Sequence, residues 1–280
     1  MKTKMQLVKA AFVLTAFLCL VGFPSGSSAN HSWGTYHWAR TSNPFKLKIG
    51  NNVSSNWTTH FNTSVADWTK STVMDLAAVA GTSNKRCSMV AGTVQVCNGT
   101  YGQNGWLGLA SINVTGGDHI TQGTAKMNDT YFNMSAYNNP NEKLHVMCQE
   151  VGHTFGLGHT SEDGSSQNTC MDYFSNTGAN ATSTLSTHPN AHDYDELASK
   201  YAHLDSTTTI SVSSATIPAG SEVTNEPNSW GMLVSQSANG RSSTYEREHQ
   251  NGSKTITHVY WTEEAAEVCH GCDHRYHDDH

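Results

Sequence analysis

A chain of 280 residues with 16 basic and 23 acidic side chains carries a formal charge of −7, and only 14% of its residues are charged. That length admits one large domain, or a main domain with a small extension. The acidic balance disfavours nucleic-acid binding, which calls for a basic face. Beyond the leader described next, no stretch is apolar enough to span a bilayer.

Residues 1–29 read as a signal peptide. A basic segment, MKTKMQLVK, precedes the apolar run AAFVLTAFLCLVGF, which is short for a membrane span, and SSA before Asn30 suits a small-residue cleavage site. The expectation is a secreted, extracellular protein without stable membrane insertion after leader removal. Six cysteines lie outside the leader, and an even count in an oxidising compartment favours disulfides. Other pairings are open to the sequence, but locality favours Cys87–Cys97 across a hairpin, Cys148–Cys170 and Cys269–Cys272.

In chain order, residues 61–72 place Val65 and Trp68 on one face of a short helix. Residues 72–81, 87–97 and 105–114 read as strands with glycine-containing turns. A longer helix is expected after Asn139, with Asn139 as N-cap, Pro140 in the first position and Glu142 completing a capping box. Gly156 and Gly158 stop it. A third helix is expected within residues 190–204, where Tyr194, Leu197, Ala198 and Tyr201 form one apolar stripe. Residues 205–229 read as a Ser/Thr-rich linker, 230–262 as a small β extension, and 263–280 as a polar tail rich in cysteine and histidine.

The chemistry concentrates in CQEVGHTFGLGH, residues 148–159. At 100° per residue, Gln149 and His153 lie one turn apart on one helical face, with Glu150 on its shoulder. Two donors so placed can share one ion while the intervening glutamate reaches its water. Gly156 lets the chain reverse, so that His159 can approach as a third donor. Met171 follows twelve residues later, and a Cys148–Cys170 bridge would clamp its turn to the helix. His145 also faces this way, but about 12 Å of helix axis separates its Cα from that of His153, so it is not expected to share the ion.

QEVGHTFGLGH followed by CMDY resembles the metzincin zinc metallopeptidases, specifically the matrixin-like branch, with Gln149 in place of the first histidine ligand. Thr160 is close to the serine that matrixins carry there, and GWLGLA resembles their substrate-binding edge strand. The resemblance covers roughly residues 36–204, and its specific part is residues 148–173. It implies an α+β fold, with a zincin-like twisted mixed sheet and an active-site helix in residues 30–204, plus the small β-rich C-terminal extension. It further implies a Zn2+ cofactor held by Gln149, His153 and His159, and catalysis by Glu150. Met171 would support the site from a methionine turn, and Leu107, Gly108, Leu109, Ala110 and Tyr173 would contact substrate. The expected activity is that of a monomeric endopeptidase cleaving protein or peptide substrates with a zinc-activated water. The alternative is a catalytically silent protein that binds a peptide or protein on the same scaffold.

Three further signals have plainer readings. The tail CHGCDHRYHDDH fits a local disulfide in a polar segment better than a metal site. The acids of HDYDE, residues 192–196, suit a helix N-terminus. GGDHI, residues 116–120, contains an Asp-His pair whose partner ligands the sequence does not reveal.

Overall fold

Phe45, Leu47 and Ile49 are buried while Lys46 and Lys48 face solvent, the two-residue alternation of a half-covered strand. They form β2 (Phe45–Asn52). The computed structural model describes residues 31–82, 86–210, 226–268 and 273–276. Within them β1 (His37–Trp38), β2, β3 (Met74–Ala80), β4 (Thr93–Gly99), β5 (Trp106–Thr115), β6 (His119–Asn128), β7 (Met232–Gln236), β8 (Ser242–Glu248) and β9 (Lys254–Trp261) join one mixed sheet. Its order is β3-β2-β4-β6-β5-β9-β8-β7, with β1 also paired to β6. The pairs among β1, β2, β3, β4 and β6 are parallel, and those from β6 through β5 and β9 to β7 are antiparallel. The chain is therefore α+β, as expected.

Two helices cover one face. α1 (Thr58–Trp68) buries Phe61, Val65 and Trp68, and packs on β3 and on α3 (Pro140–His153). The Trp68 indole donates to the Cys148 carbonyl at 3.1 Å, which ties the two helices together. α3 lies over β5 and β6. Its N-terminus is capped as expected: the Asn139 side chain accepts from the Glu142 backbone N–H at 2.8 Å, and Pro140 follows. Glu142 departs from the expected capping box. Its buried carboxylate accepts from the Asn176 N–H at 2.6 Å and from Ser175, anchoring a distant loop instead of its own helix end. At the other end Gly156 has φ +85°, and a Cβ there would come within 2.0 Å of the Tyr36 carbonyl. Glycine is required where the chain turns back under α3.

The four-residue α2 (Asp129–Phe132) follows β6, and α4 (Ala191–Lys200) is the third expected helix. Asn190 and Asp193 form a reciprocal capping box on α4, and Leu197 and Tyr201 are fully buried. The Cys87–Cys97 and Cys148–Cys170 disulfides are both formed. The Cys269–Cys272 pair, the signal peptide and most of the linker lie outside the described residues.

The C-terminal strands are placed differently from the expectation of a separate extension. β9 pairs antiparallel with β5 over residues 254–261, so β7–β9 prolong the main sheet. Part of the expected tail is also built in. Residues 263–268 form α5 (Glu263–Val268), where Glu264 accepts from the Tyr137 hydroxyl at 2.5 Å and Glu263 from Thr177 at 2.7 Å. Among the described residues, no helix is long and apolar enough to cross a membrane.

Candidate metal centre

α3 carries Gln149, Glu150 and His153, and all three are buried. The chain reverses at Gly156 and brings His159 back against His153, with ring centroids 4.6 Å apart. A third imidazole arrives from β9. Pairing sets His258 opposite Ala110 and Tyr260 opposite Gly108, and two-residue alternation puts both side chains on the sheet face that α3 covers. The His258 ring lies 4.0 Å from that of His153 and 4.7 Å from that of His159, centroid to centroid.

One ring nitrogen from each of these three histidines lies within 4.8 Å of the other two. Each Nε2 is buried without a hydrogen-bond partner. The opposite edges are held. His153 Nδ1 faces the Leu157 carbonyl at 2.8 Å, His159 Nδ1 faces the Tyr173 hydroxyl at 2.6 Å, and His258 Nδ1 faces Glu150 Oε2 at 3.4 Å. A carbonyl can only accept, so Nδ1 of His153 carries the proton and its Nε2 presents a lone pair. Burial pushes His153 and His258 down to about 3, leaving both rings neutral at pH 7. Three neutral imidazoles with fixed outer edges and unpaired inner nitrogens are a donor set suited to zinc-class ions. The residues fit such an ion without rearrangement of their hydrogen bonds.

Glu150 sits beside this set. Its Oε1 is buried and unpaired, and burial pushes its carboxyl up to about 8. β5 makes room for it through Gly108, where a Cβ would lie 2.4 Å from Glu150 Oε1. Met171 is fully buried behind α3, where a Cβ on Gly152 would meet its sulfur at 2.6 Å. The methionine turn thus passes under the helix, clamped by Cys148–Cys170.

The remaining expected site residues make the following contacts, and Gln149 Oε1 is itself buried without a hydrogen-bond partner. The amide nitrogen of Gln149 donates to the Cys170 carbonyl at 3.1 Å and the Asp172 carbonyl at 2.8 Å, so this side chain fastens the methionine turn. His258 joins His153 and His159 in the cluster. Tyr173 is buried against His159 and Ser242 rather than lining an open specificity pocket. Leu107, Gly108, Leu109 and Ala110 are not on an edge: β6 pairs with one side of this strand and β9 with the other. His145 bonds Asn176 at 3.1 Å and the Asp172 carbonyl at 3.2 Å.

Sequence spacing does not point to His258, because its strand reads as part of a small β extension remote from residues 148–159. The signal lay in KTITHVYW, where Ile256, His258 and Tyr260 share one face and set an imidazole in a buried stripe. No family model matches this chain, and no curated protein matches it as a relative.

Proposed function

We propose that this protein is a zinc-class metalloendopeptidase whose ion is held by His153, His159 and His258 and whose general base is Glu150. The observation that carries the reading is three histidines that each bring a ring nitrogen within 4.8 Å of the others, every one with a buried, unpartnered Nε2, next to Glu150 with its own unpartnered oxygen. When bound, the ion would supply Lewis acidity toward a scissile carbonyl and lower the pKa of a water. Burial alone leaves the Glu150 carboxyl protonated at pH 7, and a cation held by the histidines would favour its ionised form, which is placed to take the proton of an attacking water at Oε1 and to return it to the leaving amine. The Leu157 carbonyl and Tyr173 hydroxyl hold His153 and His159 in orientation. Gln149 and the Cys148–Cys170 disulfide hold the methionine turn beneath them.

A second reading, a catalytically silent metal-binding protein, is favoured by one observation. Glu150, His153 and His258 are at most 2% exposed, and β5 has no free edge for a peptide. Little room for a substrate beside these residues fits an ion that supports the fold rather than one that meets a peptide.

Cleavage of an unfolded protein by the zinc-loaded whole chain separates the two, with Glu150→Ala as control. The endopeptidase reading expects cleavage that falls by about 10²–10⁴-fold in Glu150→Ala, with zinc content unchanged. Zinc retained without cleavage in the unsubstituted chain would overturn it in favour of the silent protein.

A further inference from the structure

The Asp-His pair of residues 118–119 gains its partners in the fold. β1 is parallel to the start of β6, and their register sets His37 beside His119. The segment after α4 returns to the same place, because Asp205 N–H donates to the Arg40 carbonyl at 2.9 Å. Four side chains from three remote stretches then converge. Asp205 Oδ1 lies 3.4 Å from His37 Nε2, 3.3 Å from His119 Nε2 and 3.7 Å from His203 Nε2. His37 Nε2 and His203 Nε2 lie 3.1 Å apart.

These separations have a scale to meet. Donors held tetrahedrally at zinc–nitrogen and zinc–oxygen distances lie about 3.3 Å from one another, and one ligand atom from each of His37, His203 and Asp205 lies within 4.8 Å of the other two. The outer edges are fixed as ligands require. His37 Nδ1 faces the Thr35 carbonyl at 2.7 Å, which assigns its proton to Nδ1 and leaves Nε2 as a lone-pair donor. The other carboxylate oxygen, Asp205 Oδ2, accepts from the Arg40 backbone N–H at 3.0 Å and its guanidinium at 2.8 Å, which aims Oδ1 at the imidazoles. His37 Nε2 presents a lone pair toward His203 Nε2, and a cation between them would take a lone pair from each ring and from Asp205 Oδ1 together. A cavity of about 320 Å³, lined in part by His37, His203 and Asp118, opens beside the cluster and offers an ion a way in.

We propose that His37, His203 and Asp205 form a second site for a divalent transition-metal ion of the zinc class, with His119 beside Asp205 Oδ1. The site is structural: it joins residues 166 and 168 positions apart in the chain, stapling β1 and the head of β6 to the end of α4. It is independent of the reading of the first centre, and either can fail alone.

The test uses the whole chain, stripped with a chelator and reloaded with Zn2+, or with Co2+ as a spectroscopic probe. His203 is half-exposed, so His203→Ala removes a donor with little effect on packing. The unsubstituted chain should retain one zinc equivalent more than His203→Ala, and affinity at this site should fall by more than about 100-fold, beyond the range of outer-shell losses. Comparing the two chains cancels binding by the histidine-rich tail and by the first centre. His203→Cys should restore the equivalent and add a thiolate-to-cobalt charge-transfer band. Equal zinc content in the unsubstituted chain and His203→Ala, or no such band in His203→Cys, would overturn the proposal.

Discussion

Gln149 occupies the position from which a histidine would reach the ion, and its amide faces two ways. The nitrogen donates to two backbone carbonyls of the methionine turn, while the oxygen is buried without a hydrogen-bond partner. A neutral carboxamide oxygen is a weaker donor than imidazole, and His258 supplies an imidazole to the same pair of histidines. Through its nitrogen Gln149 satisfies the Cys170 and Asp172 carbonyls. In Gln149→Ala the Cys170 carbonyl loses this donor and the Asp172 carbonyl keeps only His145, which costs about 1–3 kcal/mol, readable as a lower denaturant midpoint. Zinc affinity should fall by no more than the roughly 10–100-fold typical of an outer-shell partner. A larger affinity loss without the stability loss would return Gln149 to the ligand set.

At the scale of elements, α3 carries the centre, and its first turn sets the register of every residue that follows. Asn139 caps the helix at 2.8 Å and also donates to the Asn176 carbonyl at 2.8 Å. Asn139→Ala should destabilise the protein by about 1–2 kcal/mol, measured by chemical unfolding, and a change below about 0.5 kcal/mol would contradict that role. This helix was legible in the sequence because its cap, proline and terminal glycine are local signals. So were α1, α4, β3 and β5, through their apolar spacing, and so were His153 and His159. β6 was not legible: Thr121, Gln122, Thr124, Lys126 and Asn128 are polar yet buried. A central strand covered on both faces loses the alternation that marks a strand. β7, β8 and β9 were legible as strands, but their place was not, because nothing local states that β9 pairs with β5. His258 and the partners of His119 were hidden for the same reason. Both clusters depend on contacts between segments remote in sequence, and spacing along one element cannot report them.

For the whole molecule, the decisive feature is that the C-terminal strands close the sheet over the centre. β9 fills the side of β5 where a peptide would pair, and it also delivers His258. A peptide paired along that side of β5 and coordination by His258 therefore exclude one another, since the first requires β9 to leave. The closing strand has its own apolar support. Trp106, Leu109, Trp230, Tyr245, Val259 and Trp261 form a second buried cluster on the far side of the sheet from α3. Replacing His258 leaves that cluster in place, which makes it the cleanest probe of the centre. The most direct measurement is the zinc affinity of His258→Ala against that of the unsubstituted chain, with folding followed in parallel. The account predicts a loss of more than about 100-fold in a chain that still folds, and zinc affinity unchanged by the substitution would contradict it.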